Sequence, residues 1–351
     1  MRLKQRQQII RYKKSINEYD ETYYCDTETY VYTGKHELFI ITYISKSNDK
    51  AKLIDVNTYS NVSDDTYSKE QIAVYKFLDD ITGYGEKDIV LCYFHNLRYD
   101  YTILEKYLKN LSNICQKDNN VYSLTCYHKK TCIEFRDSYR LISRPLKELP
   151  NALGFSKECN KKEAINYEFY KEEHYYNPVV SVSDYKKGLS NDDKIIFDSI
   201  NSKNKKQFNC MEYMYEYACY DVIVLKKAIL KLDGLFIEAM GKYKTVDLKD
   251  SLTISSLTNK FVIKNEGFKD IYSLKGNIKK YCSKAVWGGR TAVNINSKNK
   301  LLDELIKALD GVSLYPSAIC RIADEGGFST GKGVIMKEDD FKIFDSFSRW
   351  V

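Results

Sequence analysis

Two absences in this sequence of 351 residues each exclude a class of protein. No apolar run approaches the roughly 20 residues of a transmembrane helix, and the longest, Leu38 to Ile44 and Ile89 to Phe94, are typical of buried strands. The sequence shows no secretory signal, and its ten cysteines lack the close, even spacing of a disulfide framework. We therefore expect a protein of a reducing compartment without a membrane span. A formal net charge of +7 is modest for this length, so it favours an anionic partner without deciding the matter.

The pattern of apolar residues predicts an α/β chain with two domains. Strands are predicted within residues 23–32, 36–45, 50–56, 88–94 and 131–138, where short apolar runs rich in aromatic and β-branched residues occur. Apolar spacings of three and four predict one helix from Tyr101 to Leu111 and a long one from about Met211 to Met240. The polar segment 174–209 is predicted to be an exposed insertion. The end of the long helix places the predicted domains at residues 1–245 and 246–351.

Acidic residues occur at three places where a strand or helix could present them to one site. Asp26 and Glu28 are two apart in a strand pattern, so both side chains leave one face of the sheet. Asp100 follows a buried strand at the start of a helix, and Tyr217 and Asp221 are four apart on the long helix. Each signal alone is equally typical of an exposed strand face, a helix cap or a packed helix edge.

Together, the four carboxylates predict a centre for two divalent cations. Their order along the chain is one that an RNase H-like fold could gather around a pair of ions about 4 Å apart. Oxygen ligands of this kind suit Mg²⁺ or Mn²⁺. A phenol one helical turn before a carboxylate can hold an attacking water beside such an ion. The combination therefore predicts phosphodiester hydrolysis.

The segments CDTET, YFHNLRYD and YACYD resemble the three exonuclease motifs of protein-primed family B DNA polymerases. The resemblance implies an RNase H-like 3′ to 5′ exonuclease domain in which Asp26, Glu28, Asp100 and Asp221 are metal ligands and Tyr217 orients the nucleophilic water. It also implies contacts with a single-stranded 3′ end, made by Thr29, Tyr93, His95, Asn96 and Tyr99. Aromatic rings suit that task because unpaired bases stack on them.

Two further segments resemble motifs of the same domain. RDSYRLI is similar to the Ser-Leu motif through Ser138, with Tyr139 in the usual place of leucine. KEAINY is similar to the lysine motif, which implies Lys162 near the scissile phosphate and Tyr167 on the primer strand. Any exposed lysine would have the same local sequence signature.

The second part of the chain resembles the beginning of an α+β polymerase palm. VWGGRTAV is similar to the Y-x-G-G motif, which implies DNA contacts by Gly288, Gly289 and Arg290, with Val286 in place of the tyrosine. ALDGVSLYPSAI is close to polymerase motif A, which implies metal and nucleotide binding by Asp310, with Ser313, Leu314 and Tyr315 at the nucleotide. The apolar residues before Asp310 predict that it ends a strand. GGFSTGKG resembles a P-loop but has Gly333 in the Ser/Thr position, which favours a glycine-rich turn.

The palm is expected to be incomplete, because the D-T-D motif that completes a polymerase site does not follow motif A. We therefore expect exonuclease activity alone from this chain. A stand-alone single-strand exonuclease and a non-catalytic DNA-binding half of a split polymerase are the alternatives. The implied partners are single-stranded and primer-template DNA, nucleoside triphosphates once the palm is complete, and a priming terminal protein. The expected setting is the cytoplasm of a host cell for a viral or plasmid protein, with an organelle as the alternative.

Overall fold

The computed structural model describes residues 19–32, 35–60, 67–155, 164–200, 206–267, 275–284 and 314–325. The chain divides into two compact units, Met1–Asn265 and Glu266–Val351. Within the described residues, no helix combines the length and the apolar character that a bilayer crossing needs. The predicted boundary between exonuclease and palm domains at residues 245 and 246 stays a prediction.

The first unit is built on a mixed sheet of seven strands. They are β1 (Glu21–Tyr32), β2 (Lys35–Ser45), β3 (Lys52–Asp55), β4 (Ile89–Phe94), β5 (Ser112–Lys117), β6 (Asn120–His128) and β7 (Thr131–Asp137). Their order across the sheet is β3-β2-β1-β4-β7-β6-β5. β1, β4 and β7 are parallel to one another, whereas β2 is antiparallel to both of its neighbours. This is the strand arrangement of an RNase H-like fold, which confirms the predicted fold class.

The register leaves one flank of β1 open. β4 pairs with β1 only from Glu21 to Tyr24, whereas β2 pairs with β1 as far as Tyr32. The second half of β1 therefore projects beyond β4. A bulge between Glu28 and Thr29 shifts the register with β2 there, and bulges commonly re-aim side chains beside functional sites.

Helices cover both faces of the sheet. Those of the first unit are α1 (Lys69–Thr82), α2 (Leu97–Leu104), α3 (Leu149–Ala152), α4 (Glu172–Tyr176), α5 (Val182–Lys186), α6 (Asn191–Ile200), α7 (Cys210–Met240) and α8 (Ile254–Lys264). The Asn209 side chain accepts hydrogen bonds from Met211 N and Glu212 N and so caps the start of α7. The helix ends at Gly241, whose φ is 53°.

The alternation of strand residues divides the core between the two faces. Tyr23 and Cys92 pack with residues of α1 and α2, whereas Tyr24 and Leu91 pack with residues of α7 and α8. Because helices cover both faces of the sheet, the sequences of the central strands are nearly continuous apolar runs. This explains why these strands could be predicted from the sequence.

Three elements differ from the sequence prediction. The helix expected from Tyr101 to Leu111 begins at Leu97 and ends at Leu104, because a 3₁₀ turn follows and Leu108 is already extended. β5 and β6 were not predicted. β5 is exposed and β6 is mostly buried, and the two register shifts between them leave little of the period-two pattern that identifies a strand.

The segment predicted as an exposed insertion forms a small lobe with its own core. It contains α4, α5 and α6 and a hairpin of β8 (Val179–Ser181) with β9 (Gln207–Asn209). Tyr185 lies at the centre of an aromatic cluster, in ring contact with Tyr170, Phe197, Phe208 and Tyr213. The same cluster includes residues of β1, β2 and the first turns of α7, so the lobe packs against the sheet.

The second unit is described through two helices, α9 (Gly276–Ser283) and α10 (Leu314–Glu325). Leu314 and Tyr315 begin α10, and the side chain of Tyr315 is 78% exposed. Several predicted site residues lie outside the described residues, as does the predicted strand before motif A. They are Lys162, Gly288, Gly289, Arg290, Asp310 and Ser313.

The insertion lobe contains a close approach that only glycine permits. A Cβ atom on Gly188 would lie 2.7 Å from Oδ1 and 2.8 Å from Cγ of Asn166. Asn166 cannot move aside freely, because its Nδ2 donates to the Tyr185 carbonyl at 2.8 Å and its backbone N–H donates to the Tyr185 hydroxyl.

We expect Gly188→Ala to lower the free energy of unfolding by about 1–3 kcal/mol through this overpacking. The matched control is Gly234→Ala, at an exposed position of α7 where a Cβ meets nothing within 4 Å. That change should raise the free energy of unfolding by about 0.5–1 kcal/mol, since alanine is the better helix former. Urea unfolding of the two variants measures both effects, and equal midpoints would contradict the predicted clash.

Candidate metal centre

A cavity of about 690 Å³ lies at the open flank of β1. Eight residues predicted from the motifs line it: Asp26, Glu28, Thr29, His95, Tyr99, Tyr167, Tyr217 and Asp221. Four lining residues were not predicted: Thr27, His36, Leu146 and Glu168. The structure therefore brings residues from distant parts of the chain to one place.

Three carboxylates converge in this cavity. Asp26 and Glu28 leave the same face of β1, which is the face that α7 covers. Asp221 projects from α7 toward them, and one oxygen from each of the three carboxylates lies within 4.8 Å of the others. The local geometry of one strand and one helix thus produces a cluster of like charges.

The cluster carries a strong electrostatic penalty when all its members are ionised. Burial raises the pKa of Asp26, and the charges of Glu28, Asp100 and Asp221 raise it further. Burial, together with Asp221 and Asp100, also raises the pKa of Glu28. Burial raises the pKa of Asp221 to about 7, although a hydrogen bond from Tyr217 opposes the change. A cation among these oxygens would relieve the repulsion.

Asp100 lies beside this cluster and is held by Thr27. Its Oδ1 accepts hydrogen bonds from Thr27 N at 3.1 Å and from Thr27 Oγ1 at 2.7 Å. Thr27 alternates with Asp26 and Glu28, so Asp100 engages the projecting half of β1 beyond its pairing with β4. The carboxyl group is 2% exposed, and burial raises its pKa to about 7. The Asp100 carboxylate is therefore adjacent to the cluster of Asp26, Glu28 and Asp221, but in this structure it is hydrogen-bonded to β1.

Asp137 positions the helix that carries Asp100. This residue ends β7, and its Oδ1 accepts hydrogen bonds from Asn96 N at 2.9 Å and Leu97 N at 3.3 Å. It thereby satisfies amides at the start of α2, where Asn96 has a φ of 72°. Asp137 was not among the predicted site residues, although it is a polar residue at the end of a buried strand, which was the signal that identified Asp100.

Two tyrosines adjoin the carboxylates from the side of α7. Tyr217 lies one turn before Asp221 and hydrogen-bonds to its carboxylate, while the Tyr167 hydroxyl is 2.8 Å from the Tyr217 hydroxyl. Burial and the charge of Asp221 raise the pKa of Tyr217, so the phenol stays protonated. Tyr167 follows Asn166, the residue fixed against Gly188 in the insertion lobe. The lobe therefore sets the position of this second phenol.

His95 is fixed on the opposite side of the cavity. Its Nδ1 is 2.9 Å from Ser138 Oγ, and its Nε2 is 2.8 Å from the carbonyl oxygen of Arg144. Burial lowers the pKa of the imidazole, which favours the neutral ring. Ser138 is itself buried and contacts His95 rather than the cavity. Its structural role is to orient the histidine.

Tyr93 does not reach the cavity. Its ring is 3% exposed and stacks on Tyr24 with 6.0 Å between centroids, on the α7 side of the sheet. Its hydroxyl hydrogen-bonds to Arg136, which also donates to the Lys249 carbonyl. No face of the ring is free for an unpaired base, so the predicted DNA contact of Tyr93 has no geometric support. Its place in β4 explains the difference, since helices cover both faces of that strand and alternate residues enter the two cores.

The donor set fits a hard divalent cation. All three clustered ligands are carboxylates, which Mg²⁺ and Mn²⁺ accept readily. Burial and the neighbouring carboxylates raise the pKa of Asp26 and of Glu28, so positive charge among these oxygens would be stabilising. What the arrangement can do chemically is bind a cation beside two protonated phenols.

Comparisons with solved structures find Phi29 DNA polymerase. In its complex with primer-template DNA and incoming nucleotides, the TM-score is 0.46 and the identity 16%, over 80% of this chain and 41% of that chain. In its complex with single-stranded DNA, the values are 0.46 and 16%, over 79% and 41%. The chain thus spans about two fifths of the length of these structures. No curated protein sequence matches it.

A family model provides the decisive comparison. Residues 81–346 match the model described as DNA polymerase type B, organellar and viral. The matched range contains Asp100, Tyr217, Asp221 and motif A, and it begins after the strand that bears Asp26 and Glu28. The resemblance to family B polymerases seen in the motifs is confirmed, and the chain belongs to the organellar and viral type B DNA polymerases.

Proposed function

We propose that this chain carries the 3′ to 5′ proofreading exonuclease of a protein-primed DNA polymerase, together with the beginning of its polymerase domain. The observation that carries the proposal is the convergence of Asp26, Glu28 and Asp221 within 4.8 Å in an open cavity. Buried like charges are costly, so a fold retains them where a bound cation or a reaction uses them. Family membership supplies the substrate class, which is DNA.

The reaction proposed for the cavity is hydrolysis of the last phosphodiester bond of a DNA strand. Asp26, Glu28 and Asp221 would hold Mg²⁺ or Mn²⁺, with Asp100 joining them by turning from Thr27. Bound cations would stabilise the negative charge of the attacking and leaving oxygens. The oxygen of water forms the new bond to phosphorus, and the bond to the preceding 3′ oxygen breaks. The product is a nucleoside 5′-monophosphate.

The two phenols would position the attacking water. Tyr217 is protonated and fixed by Asp221 on one side and Tyr167 on the other. Its oxygen can hold a water against the phosphate, a contact that orients the nucleophile without removing a proton. Tyr167 is 52% exposed, which leaves its ring accessible to the DNA strand.

The rim of the cavity suits an unpaired 3′ end. Tyr99 is 40% exposed, and its hydroxyl lies 2.5 Å from Thr29 Oγ1. Its ring can stack with a base at about 1–3 kcal/mol, irrespective of which base is present. His95 and Asn96 lie at the end of β4, at and beside the same cavity. These contacts fit a single strand, whose bases are free.

DNA synthesis is proposed for the complete polymerase, of which this chain would form the first part. Asp310 would bind the cation of an incoming nucleoside triphosphate, with Ser313, Leu314 and Tyr315 around the nucleotide. Gly288, Gly289 and Arg290 would contact DNA, and Lys162 the scissile phosphate of the exonuclease. A priming terminal protein and a viral, plasmid or organellar setting complete this proposal.

We expect Asp26→Ala and Asp100→Ala to reduce hydrolysis of a 3′-labelled single strand to below about one thousandth of the parental rate in Mg²⁺ or Mn²⁺. DNA affinity measured without metal should change little, because neither carboxylate is placed to attract the strand. Glu216→Gln is the matched control, since this exposed acid lies on α7 next to Tyr217 but is not one of the three clustered carboxylates. Hydrolysis at the parental rate in both alanine variants would refute the assignment of these carboxylates to the exonuclease site.

Tyr217→Phe should lower kcat by roughly 10- to 100-fold while leaving KM nearly unchanged, because the hydroxyl orients the water and not the DNA. Single-turnover digestion of a labelled oligonucleotide separates the two parameters. Tyr215→Phe serves as the control, since its hydroxyl donates to Asp55 away from the cavity. A change in KM alone would show that Tyr217 binds substrate instead.

The raised pKa of Asp221 predicts a pH dependence of stability in metal-free protein. The pKa is about 7 in the folded chain, against about 3.9 in an unfolded one, so the folded state binds this proton more tightly. The resulting stability is fully present below about pH 4 and is lost as pH rises through about 7. In EDTA, the free energy of unfolding should therefore fall between about pH 5 and pH 8.

Asp221→Asn should remove about 1–3 kcal/mol of that fall, because the amide neither titrates nor repels Asp26 and Glu28. Urea unfolding of parent and variant at the two pH values gives the comparison. Added Mg²⁺ should stabilise the parent at the higher pH and have little effect on the variant. Identical pH dependence of the unfolding free energy in both proteins would mean that the pKa of Asp221 is not raised in the folded chain.

A further inference from the structure

His36 occupies the rim of the cavity, and none of the motifs identified it. It lies on β2 opposite Val31, and the register places it diagonally across from Thr29 on the same face of the sheet. The residue is exposed and lines the cavity together with Thr29 and Tyr99. Its ring meets that of Tyr99 edge to face, with 5.8 Å between centroids.

The hydrogen bonds around His36 engage one of its two ring nitrogens. Nδ1 lies 3.1 Å from Thr29 Oγ1 and 3.1 Å from the Tyr99 hydroxyl, and these two hydroxyls are 2.5 Å apart. The two hydroxyl protons can fill this triangle with one between the hydroxyls and the other donated to Nδ1. In that arrangement Nδ1 is the acceptor, and the proton of the neutral ring is on Nε2.

With Nδ1 as the acceptor, Nε2 is a donor at the rim of the cavity. Among the residues that the structure describes, Nε2 has no hydrogen-bond partner. An exonuclease that removes any terminal nucleotide needs contacts that do not depend on base identity. Phosphate oxygens are the acceptors that every nucleotide presents, and protein contacts with nucleic acid go mainly to phosphate and sugar.

We propose that His36 binds the single-stranded 3′ end, with Nε2–H donating to a phosphate oxygen while Nδ1 fixes the hydroxyls of Thr29 and Tyr99. The inference rests on the proposed exonuclease function and adds a specific substrate-binding residue to it. Tyr99 can then stack with the base of the same nucleotide whose phosphate His36 holds. His36 takes no part in the chemical step.

His36→Asn tests the proposal, because the shorter amide can keep an acceptor near the Nδ1 position but cannot place a donor where Nε2 lies. His128→Asn is the matched control, since Nε2 of His128 bonds Asp79 at 2.7 Å, on a different part of the surface. The affinity for a labelled oligothymidylate is measured by fluorescence anisotropy in EDTA, which prevents hydrolysis. We expect roughly tenfold weaker binding for His36→Asn and parental binding for the control.

Kinetics and a modified substrate make the test specific for phosphate. In Mg²⁺, His36→Asn should raise KM by a similar factor and leave kcat unchanged. Oligonucleotides with one methylphosphonate near the 3′ end, placed at each position in turn, should show one position at which the parent loses affinity. His36→Asn should be insensitive at that position, because the contact is already absent.

His36→Gln provides a second variant, whose longer side chain carries an N–H toward the Nε2 position, and we expect it to recover part of the lost affinity. Parental affinity in His36→Asn, or an unchanged methylphosphonate pattern, would overturn the proposal. Those results would leave the exonuclease assignment intact if the parent still degrades DNA. A parent that neither binds nor degrades a single strand would instead refute the proposed function itself.

Discussion

Mutual repulsion among buried carboxylates is the constraint on which this structure depends. Asp26, Glu28 and Asp221 are held within 4.8 Å of one another, and both burial and neighbouring charges raise the pKa of the first two. Such a cluster persists only if the surrounding scaffold is stable enough to impose it. The sheet meets this requirement because helices bury both of its faces, and α7 contributes residues to three apolar clusters along its length. The charged site lies where the second half of β1 extends beyond β4.

The flank of β1 that β4 leaves open explains why Asp100, unlike the other three carboxylates, is hydrogen-bonded to Thr27. β1 extends past β4, and the Thr27 amide on its free edge donates to Asp100 instead of to another strand. Asp100 lies on α2, and the backbone amides at the start of that helix donate hydrogen bonds to Asp137. A carboxylate from one strand end thus fixes the helix that presents the next carboxylate. Asp100 is thus bound to the strand edge, whereas Asp26, Glu28 and Asp221 lie next to one another in the cavity.

Part of the rim of the site is built by segments that carry none of the four carboxylates. Tyr167 follows Asn166, which packs closely against Gly188 of the insertion lobe. β2 supplies His36 on the other side, tied to Thr29 and Tyr99 through Nδ1. Aromatic rings and hydrogen-bond donors at this rim suit the proposed substrate, because they can contact bases and phosphates without pairing with the carboxylates.

The sequence by itself determined the features that depend on local geometry. Strand alternation put Asp26 and Glu28 on one face, and helical spacing put Tyr217 one turn from Asp221, because these periods are properties of the backbone. Motif order identified the polymerase family and the acids of its first domain. Only the tertiary structure decided that Asp100 binds Thr27, that Tyr93 is buried against Tyr24, and that His36 and Asp137 belong to the site. Those relations are set by strand register and by packing between segments far apart in the chain, which no local pattern encodes.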